Sequence, residues 1–207
     1  MEKTFIFVIC GSIFSVIFVS CAKKSDGTGN NQDISLAGKN ILMVIAPKDF
    51  RDEELFIPKE YFEKNKATVV VASSQTGTVI GMKGGKAEPD ILLKDVDASG
   101  YDAVVFVGGS GAKVYFDDAT AQGIALKAVE NDKILAAICL APSILANAGI
   151  LRNRKATVFK SETDNLKAND VKYADQTVVR DGSIITGNGP DAAMEFAQEI
   201  SKALAGK

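Results

Sequence analysis

Five residues of buried-strand character, Ile134-Leu135-Ala136-Ala137-Ile138, run straight into a single cysteine, Cys139. The chain then turns helix-compatible from Ala141 to Ala148 and closes at Gly149. No other feature constrains the fold as much, because an unbroken apolar strand feeding a helix is the repeating unit of a parallel sheet covered on both faces. A cysteine at a strand-to-helix turn sits where unpaired backbone N–H groups and the positive end of the helix dipole converge. That setting favours thiolate, the reactive form of the side chain. The plainer reading is a small buried residue in a turn, since free cysteine is among the most buried residue types.

The rest of the chain repeats the pattern. Asn40 to Ala46, Thr68 to Ala72 and Ala103 to Val107 are further strand-like apolar runs. A helix is predicted from about Glu53 to Lys66, with Leu55, Phe56, Ile57, Tyr61 and Phe62 on one broad buried face. Asp117 or Asp118 caps a second helix that runs to about Asn131. Thr78–Met82 and Lys86–Glu88 flank Gly84-Gly85 as a hairpin. Short strands follow near 156–159, 177–180 and 183–186. Pro190 then opens a last amphipathic helix with Ala193, Phe196, Ala197 and Ile200 on one side. Strands alternating with helices imply a single α/β domain, residues 39–207, built on a doubly wound, mostly parallel, flavodoxin-like sheet. Ligands in such sheets gather beyond the carboxyl ends of the strands. Three loops meet that description: the one after Ala46, the run Gly108-Gly109-Ser110-Gly111, and the turn holding Cys139.

Composition removes several classes of chemistry. The 207-residue chain contains no histidine, so Cys-His dyads, Ser-His-Asp triads and imidazole metal sites are all excluded. No spaced cluster of carboxylates or thiolates calls for a metal, and no motif calls for a cofactor. The glycine run lacks both the dinucleotide-binding spacing and the Lys-Ser/Thr pair of a phosphate loop. A net charge of −2 gives no electrostatic reason to expect a nucleic-acid partner.

The N-terminus reads as a targeting segment. Phe5 to Val19 is an almost unbroken apolar run, short for a membrane span and suited to a signal peptide over residues 1–20. It ends in Phe18-Val19-Ser20-Cys21, which resembles the lipobox of bacterial lipoproteins with Phe18 in place of the usual leucine; an uncleaved anchor is the alternative. In that resemblance Cys21 carries lipid, residues 21–38 form a flexible tether, and the domain lies outside the cytoplasm, anchored to a membrane. Cys10 leaves with the signal peptide, so Cys139 is the one free thiol of the mature chain, open to oxidation if solvent reaches it.

Two further groups bear on that thiol. Gly109 and Leu140 can each aim a backbone N–H at the sulfur or at an oxyanion beside it; the alternative is an ordinary strand-end turn. Glu54, in the first turn of the first helix, is either a surface carboxylate complementing the dipole or a buried group. If buried beside Cys139, its pKa rises until it holds a proton near neutrality. Glu53 competes for the role from another helical face.

Four segments together resemble the ThiJ/PfpI superfamily, also called the DJ-one family. A-A-I-C-L-A-P-S-I-L-A-N-A-G-I-L-R-N-R-K-A-T (136–157) looks like its nucleophile elbow. D-F-R-D-E-E-L-F-I-P (49–58) resembles its first loop and helix, V-V-F-V-G-G-S-G-A (104–112) its glycine turn, and T-G-N-G-P-D-A-A-M-E-F-A (186–197) its C-terminal strand, turn and helix. The resemblance implies a flavodoxin-like, class I glutamine amidotransferase-like sandwich and, commonly, a homodimer with the site near the interface. It also implies roles: Cys139 as the reactive, oxidation-sensitive cysteine, Glu54 as its acidic partner, and Gly109 and Leu140 as backbone donors. Members are described as peptidases, amidases, glyoxalases, deglycases, chaperones and redox sensors.

The departures from the family narrow the choice. PfpI-type peptidases carry histidine directly after the cysteine, where this chain has Leu140, and the family's glyoxalase and deglycase activities usually also enlist a nearby histidine, of which this chain has none. Amide hydrolysis without a placed acid–base forgoes about 10²–10⁴ in rate. The expectation is therefore a reactive cysteine acting on small reactive carbonyls and their adducts, or responding to peroxide, with Glu54 as proton carrier. A cysteine hydrolase and a non-enzymatic chaperone or binding module are the alternatives.

Overall fold

The computed structural model describes residues 34–206. The predicted signal peptide and Cys21 lie outside the described residues. Seven strands form the central sheet: β1 (Asn40–Val44), β2 (Thr68–Ser73), β5 (Ile91–Leu92), β6 (Ala103–Phe106), β7 (Ile134–Ile138), β10 (Val178–Asp181) and β11 (Ile184–Gly187), in the order β10-β11-β7-β6-β1-β2-β5. Every neighbouring pair is parallel except β10 and β11, the hairpin turned at Gly182-Ser183. The predicted hairpin around Gly84-Gly85 is also present, as β3 (Val79–Ile80) against β4 (Lys86–Ala87). The fold is the expected single α/β domain.

Alternation along the strands feeds two layers. Ile41 and Met43 of β1 face α1 (Asp52–Lys64) and α5 (Ala193–Ala205), where Leu55, Phe62, Phe196 and Ile200 are buried. Leu42 and Val44 face the opposite side, where Ala121, Ile124 and Ala128 of α2 (Ala119–Glu130) pack with Ile144 and Leu145 of α3 (Pro142–Asn147). Asp118 caps α2 by accepting a hydrogen bond from the Ala121 N–H at 2.8 Å. The chain reverses its direction of winding between β1 and β6, which opens a crevice at their carboxyl ends.

Three expectations need correction. The broad buried face of α1 is narrower than its composition suggested: Leu55, Pro58 and Phe62 are buried at helical spacing, while Phe56 turns outward against the β3–β4 hairpin. The tether does not run to Gly38. Leu36 is fully buried in the core, and its N–H donates to the Asn65 carbonyl at 2.7 Å, because the α1–β2 turn offers an apolar slot and an unpaired carbonyl. Finally, the strand expected near 156–159 is confined to β8 (Lys155–Ala156), which pairs in parallel with β9 (Lys172–Tyr173), with α4 (Thr163–Ala168) between them in the chain.

Leu36→Ala tests the revised boundary. A buried leucine truncated to alanine is expected to cost about 2–5 kcal/mol of unfolding free energy, read from the denaturant midpoint; an unchanged midpoint would return the segment to the tether.

Candidate active site around Cys139

Three strand ends build the site. β1 leads through Pro47–Arg51 into α1, whose first turn carries Asp52, Glu53 and Glu54. β6 ends in the glycine turn, and β7 delivers Cys139. The backbone of Cys139 has φ +63°, a left-handed conformation that costs a non-glycine residue of order 1–3 kcal/mol and persists only where the surroundings enforce it. They do so from both sides. The Cys139 N–H donates to the Gly187 carbonyl at 2.9 Å, and the Phe159 N–H donates to the Cys139 carbonyl at 2.8 Å.

Glycine is required where β6 ends. A methyl group at Gly108 would sit 2.6 Å from both Cys139 Cβ and Glu54 Oε2, so the cysteine and the carboxyl press on the same backbone atom. The next residue, Gly109, has φ +97° and passes hard against the Asp49–Arg51 backbone. The turn is tied there by the Arg51 N–H, which donates to the Gly108 carbonyl at 3.0 Å.

Glu54 is fully buried. Its Oε2 accepts from the Gly108 N–H at 3.0 Å. Its Oε1 is buried without a hydrogen-bond partner, and Cys139 is the side chain whose interaction with the carboxyl lowers the pKa of Glu54 and raises that of the thiol. Burial raises the Glu54 carboxyl from its ordinary 4.5 to about 7, against the lowering effect of Cys139 and the Gly108 N–H. Glu53 is not part of this arrangement: it faces outward and pairs with Arg51, Nε to Oε2 at 2.7 Å.

The sulfur itself departs from the expectation. Burial pushes the Cys139 thiol up to about 12, and a charged Glu54 adds to the rise; the Gly109 and Leu140 N–H groups pull it down but do not prevail. The helix after the turn spans only six residues, and a nearly enclosed thiol loses more to desolvation than those dipoles return. At neutral pH the cysteine is a thiol next to a carboxyl whose titration burial has moved up toward neutrality. The pair can pass one proton between them, a carboxylate taking it from sulfur or a carboxylic acid giving it to a neighbouring oxygen.

Sequence reading named Cys139, Glu54, Gly109 and Leu140, and the fold brings all four together. It missed Asp52, whose carboxylate accepts from the Lys83 N–H at 2.7 Å and the Gly85 N–H at 2.6 Å. That contact anchors the β3–β4 hairpin over the site, where Met82 Sδ accepts from the Ser110 N–H at 3.4 Å. It missed Phe159 as well. Gly84-Gly85 after an acidic helix start was a usable signal for the first; nothing local signals the second.

A model of the DJ-1/PfpI family matches residues 39–203. The chain belongs to that family. The uncharacterized protein MJ0967 of Methanocaldococcus jannaschii is 42% identical over 178 residues, covering 84% of this chain and 87% of its own. The glutathione-independent glyoxalase DJR-1.2 of Caenorhabditis elegans is 29% identical, covering 82% of this chain and 91% of its own. Among solved structures, a ThiJ/PfpI domain protein from Brachyspira murdochii superposes with a TM-score of 0.80 at 37% identity, covering 82% of this chain and 99% of its own.

The Glu54 shift gives the fold a pH dependence of known sign. The folded state holds this proton more tightly than the unfolded chain. Its stabilising contribution is therefore complete below about 4.5 and is lost as pH rises to about 7. A shift of that size corresponds to on the order of 3 kcal/mol. Urea denaturation at pH 5 and pH 8 is expected to show the loss in the wild type and a much smaller one in Glu54→Gln; equal losses in both would contradict the assignment.

Proposed function

We propose that the domain is a cysteine-dependent enzyme of glyoxalase type, acting on small reactive dicarbonyls such as 2-oxoaldehydes. One observation carries the reading: in a chain without histidine, a buried carboxyl poised near pH 7 lies against the cysteine at the strand-to-helix turn. A general acid–base works best with its pKa near the working pH.

The chemistry suits a single proton carrier. Glu54, as carboxylate, takes the S–H proton while the Cys139 sulfur adds to the aldehyde carbon; the C=O pair moves to oxygen, which receives the proton from Glu54. In the resulting hemithioacetal, Glu54 removes the proton from the former aldehyde carbon and returns it to the adjacent carbonyl carbon, while the hydroxyl proton passes from the first carbon's oxygen to its neighbour's. The first carbon is oxidised to a thioester as its neighbour is reduced to an alcohol. Water then cleaves the thioester to a 2-hydroxy acid and regenerates the thiol. No external oxidant is consumed, and each proton removed returns to the same molecule.

Amide hydrolysis fits less well, since a leaving amine needs its own proton donor and Leu140 stands where PfpI-type peptidases hold histidine. Peroxide sensing fits less well too. It calls for a standing thiolate, whereas this thiol is pushed up by burial. Addition to a carbonyl needs the sulfur deprotonated only as the bond forms, and Glu54 supplies that step.

With methylglyoxal as substrate, Cys139→Ser is expected to abolish kcat/KM, and Glu54→Gln to lower it by about 10²–10⁴. Wild-type kcat/KM should climb with pH and level off above about 7, as Glu54 reaches its carboxylate form. Full turnover by either variant would contradict the proposal.

A further inference from the structure

Beside the elbow lies a cavity of about 700 Å³, well within the range of small-molecule sites and larger than a three-carbon oxoaldehyde needs. Cys139 does not itself line it, but two of its lining segments are joined to the reactive turn through the backbone. Phe159 donates its N–H to the Cys139 carbonyl, and Asn188, Gly189 and Pro190 follow directly on Gly187, which accepts from the Cys139 N–H. The Phe159 ring lies over Gly189, where a methyl group would approach it to 3.3 Å. The side chain is nonetheless 43% exposed, and its ring packs against no other aromatic ring among the described residues. Charges on the wall have both signs, Lys160 and Lys167 against Asp164, Asp175 and Asp191, so no single-sign field selects an ionised ligand. The distinctive surface is a half-exposed aromatic face whose backbone is bonded to that of the cysteine.

We infer that this cavity receives the non-reacting substituent of the substrate, and that Phe159 makes the site select for flat aromatic or apolar substituents over a methyl group. The inference deepens the glyoxalase reading, naming the class as 2-oxoaldehydes with an aryl or bulky apolar group. Gly189 lets the chain pass close against the Phe159 ring, and stacking on the part of the side chain that stays exposed is worth about threefold to tenfold in affinity.

The experiment has two arms. In the first, the full chain and its Phe159→Ala and Phe159→Tyr variants are treated with N-phenylmaleimide or N-methylmaleimide. Adduct formation at Cys139 is read by peptide mass spectrometry, each rate divided by that for free glutathione. Wild type and Phe159→Tyr are expected to prefer the phenyl reagent about threefold to tenfold, and Phe159→Ala to lose most of that preference. A wild-type ratio equal to that of glutathione, or an undiminished ratio in Phe159→Ala, overturns the subsite. In the second arm, kcat/KM is compared for phenylglyoxal and methylglyoxal. The maleimide ratio decides the subsite, and turnover decides the reaction: a Phe159-dependent ratio with neither oxoaldehyde consumed would keep the subsite and sink the glyoxalase reading.

Discussion

A carboxyl group without access to water sits against a sulfur that shares its burial, and the local architecture follows from that pairing. Neither group can hold a charge cheaply there, and both cannot hold one together. Burial therefore raises both, Glu54 to about 7 and the Cys139 thiol to about 12. Both rise by similar amounts, so the gap between the two acids stays close to its ordinary width, and it is Glu54 alone that is carried toward neutrality, where a general acid–base works best. The Gly109 and Leu140 N–H groups offset part of the cost on sulfur, and they are fixed before any substrate arrives, so they require no reorganisation during reaction.

The scaffold keeps this pair in register through short, independent ties. Cys139 sits in a left-handed conformation between β11 and Phe159. Glu54 is held by the Gly108 N–H. Asp52, two residues before Glu54 in the first turn of α1, anchors the β3–β4 hairpin through two backbone amides. All of these lie at the carboxyl ends of parallel strands, on the crevice created where the winding reverses between β1 and β6. The sheet supplies rigidity; the strained cysteine and the buried acid spend part of it.

Much of this was legible in the sequence, for reasons that can be named. The runs Asn40–Ala46, Ala103–Val107 and Ile134–Ile138 could only be strands covered on both faces, and strand–helix alternation fixed their parallel arrangement. Cys139 and the glycine turn stood out because each ends such a strand. Glu54 was distinguishable from Glu53 only through the family resemblance, since helical phase in α1 is blurred by Phe56, which is exposed, and Ile57, which is only partly buried. The thiol's protonation was misjudged because a turn's dipoles can be read locally, whereas desolvation depends on α1, which is 85 residues distant at Glu54. The same limit hid Leu36, Asp52 and Phe159: their partners are far along the chain, and no periodicity records them.

The central claim, a Glu54 carboxyl that stays protonated well above the usual range because it is sealed against Cys139, can be measured directly. Carbon-13 NMR of the protein labelled at glutamate side-chain carboxyls, with the Glu54 signal assigned by its loss in Glu54→Gln, follows this one group through a pH titration. A midpoint near 7 is expected. A midpoint at the ordinary value of 4.5 would mean that water reaches the carboxyl, and the proton relay built on it would have no basis.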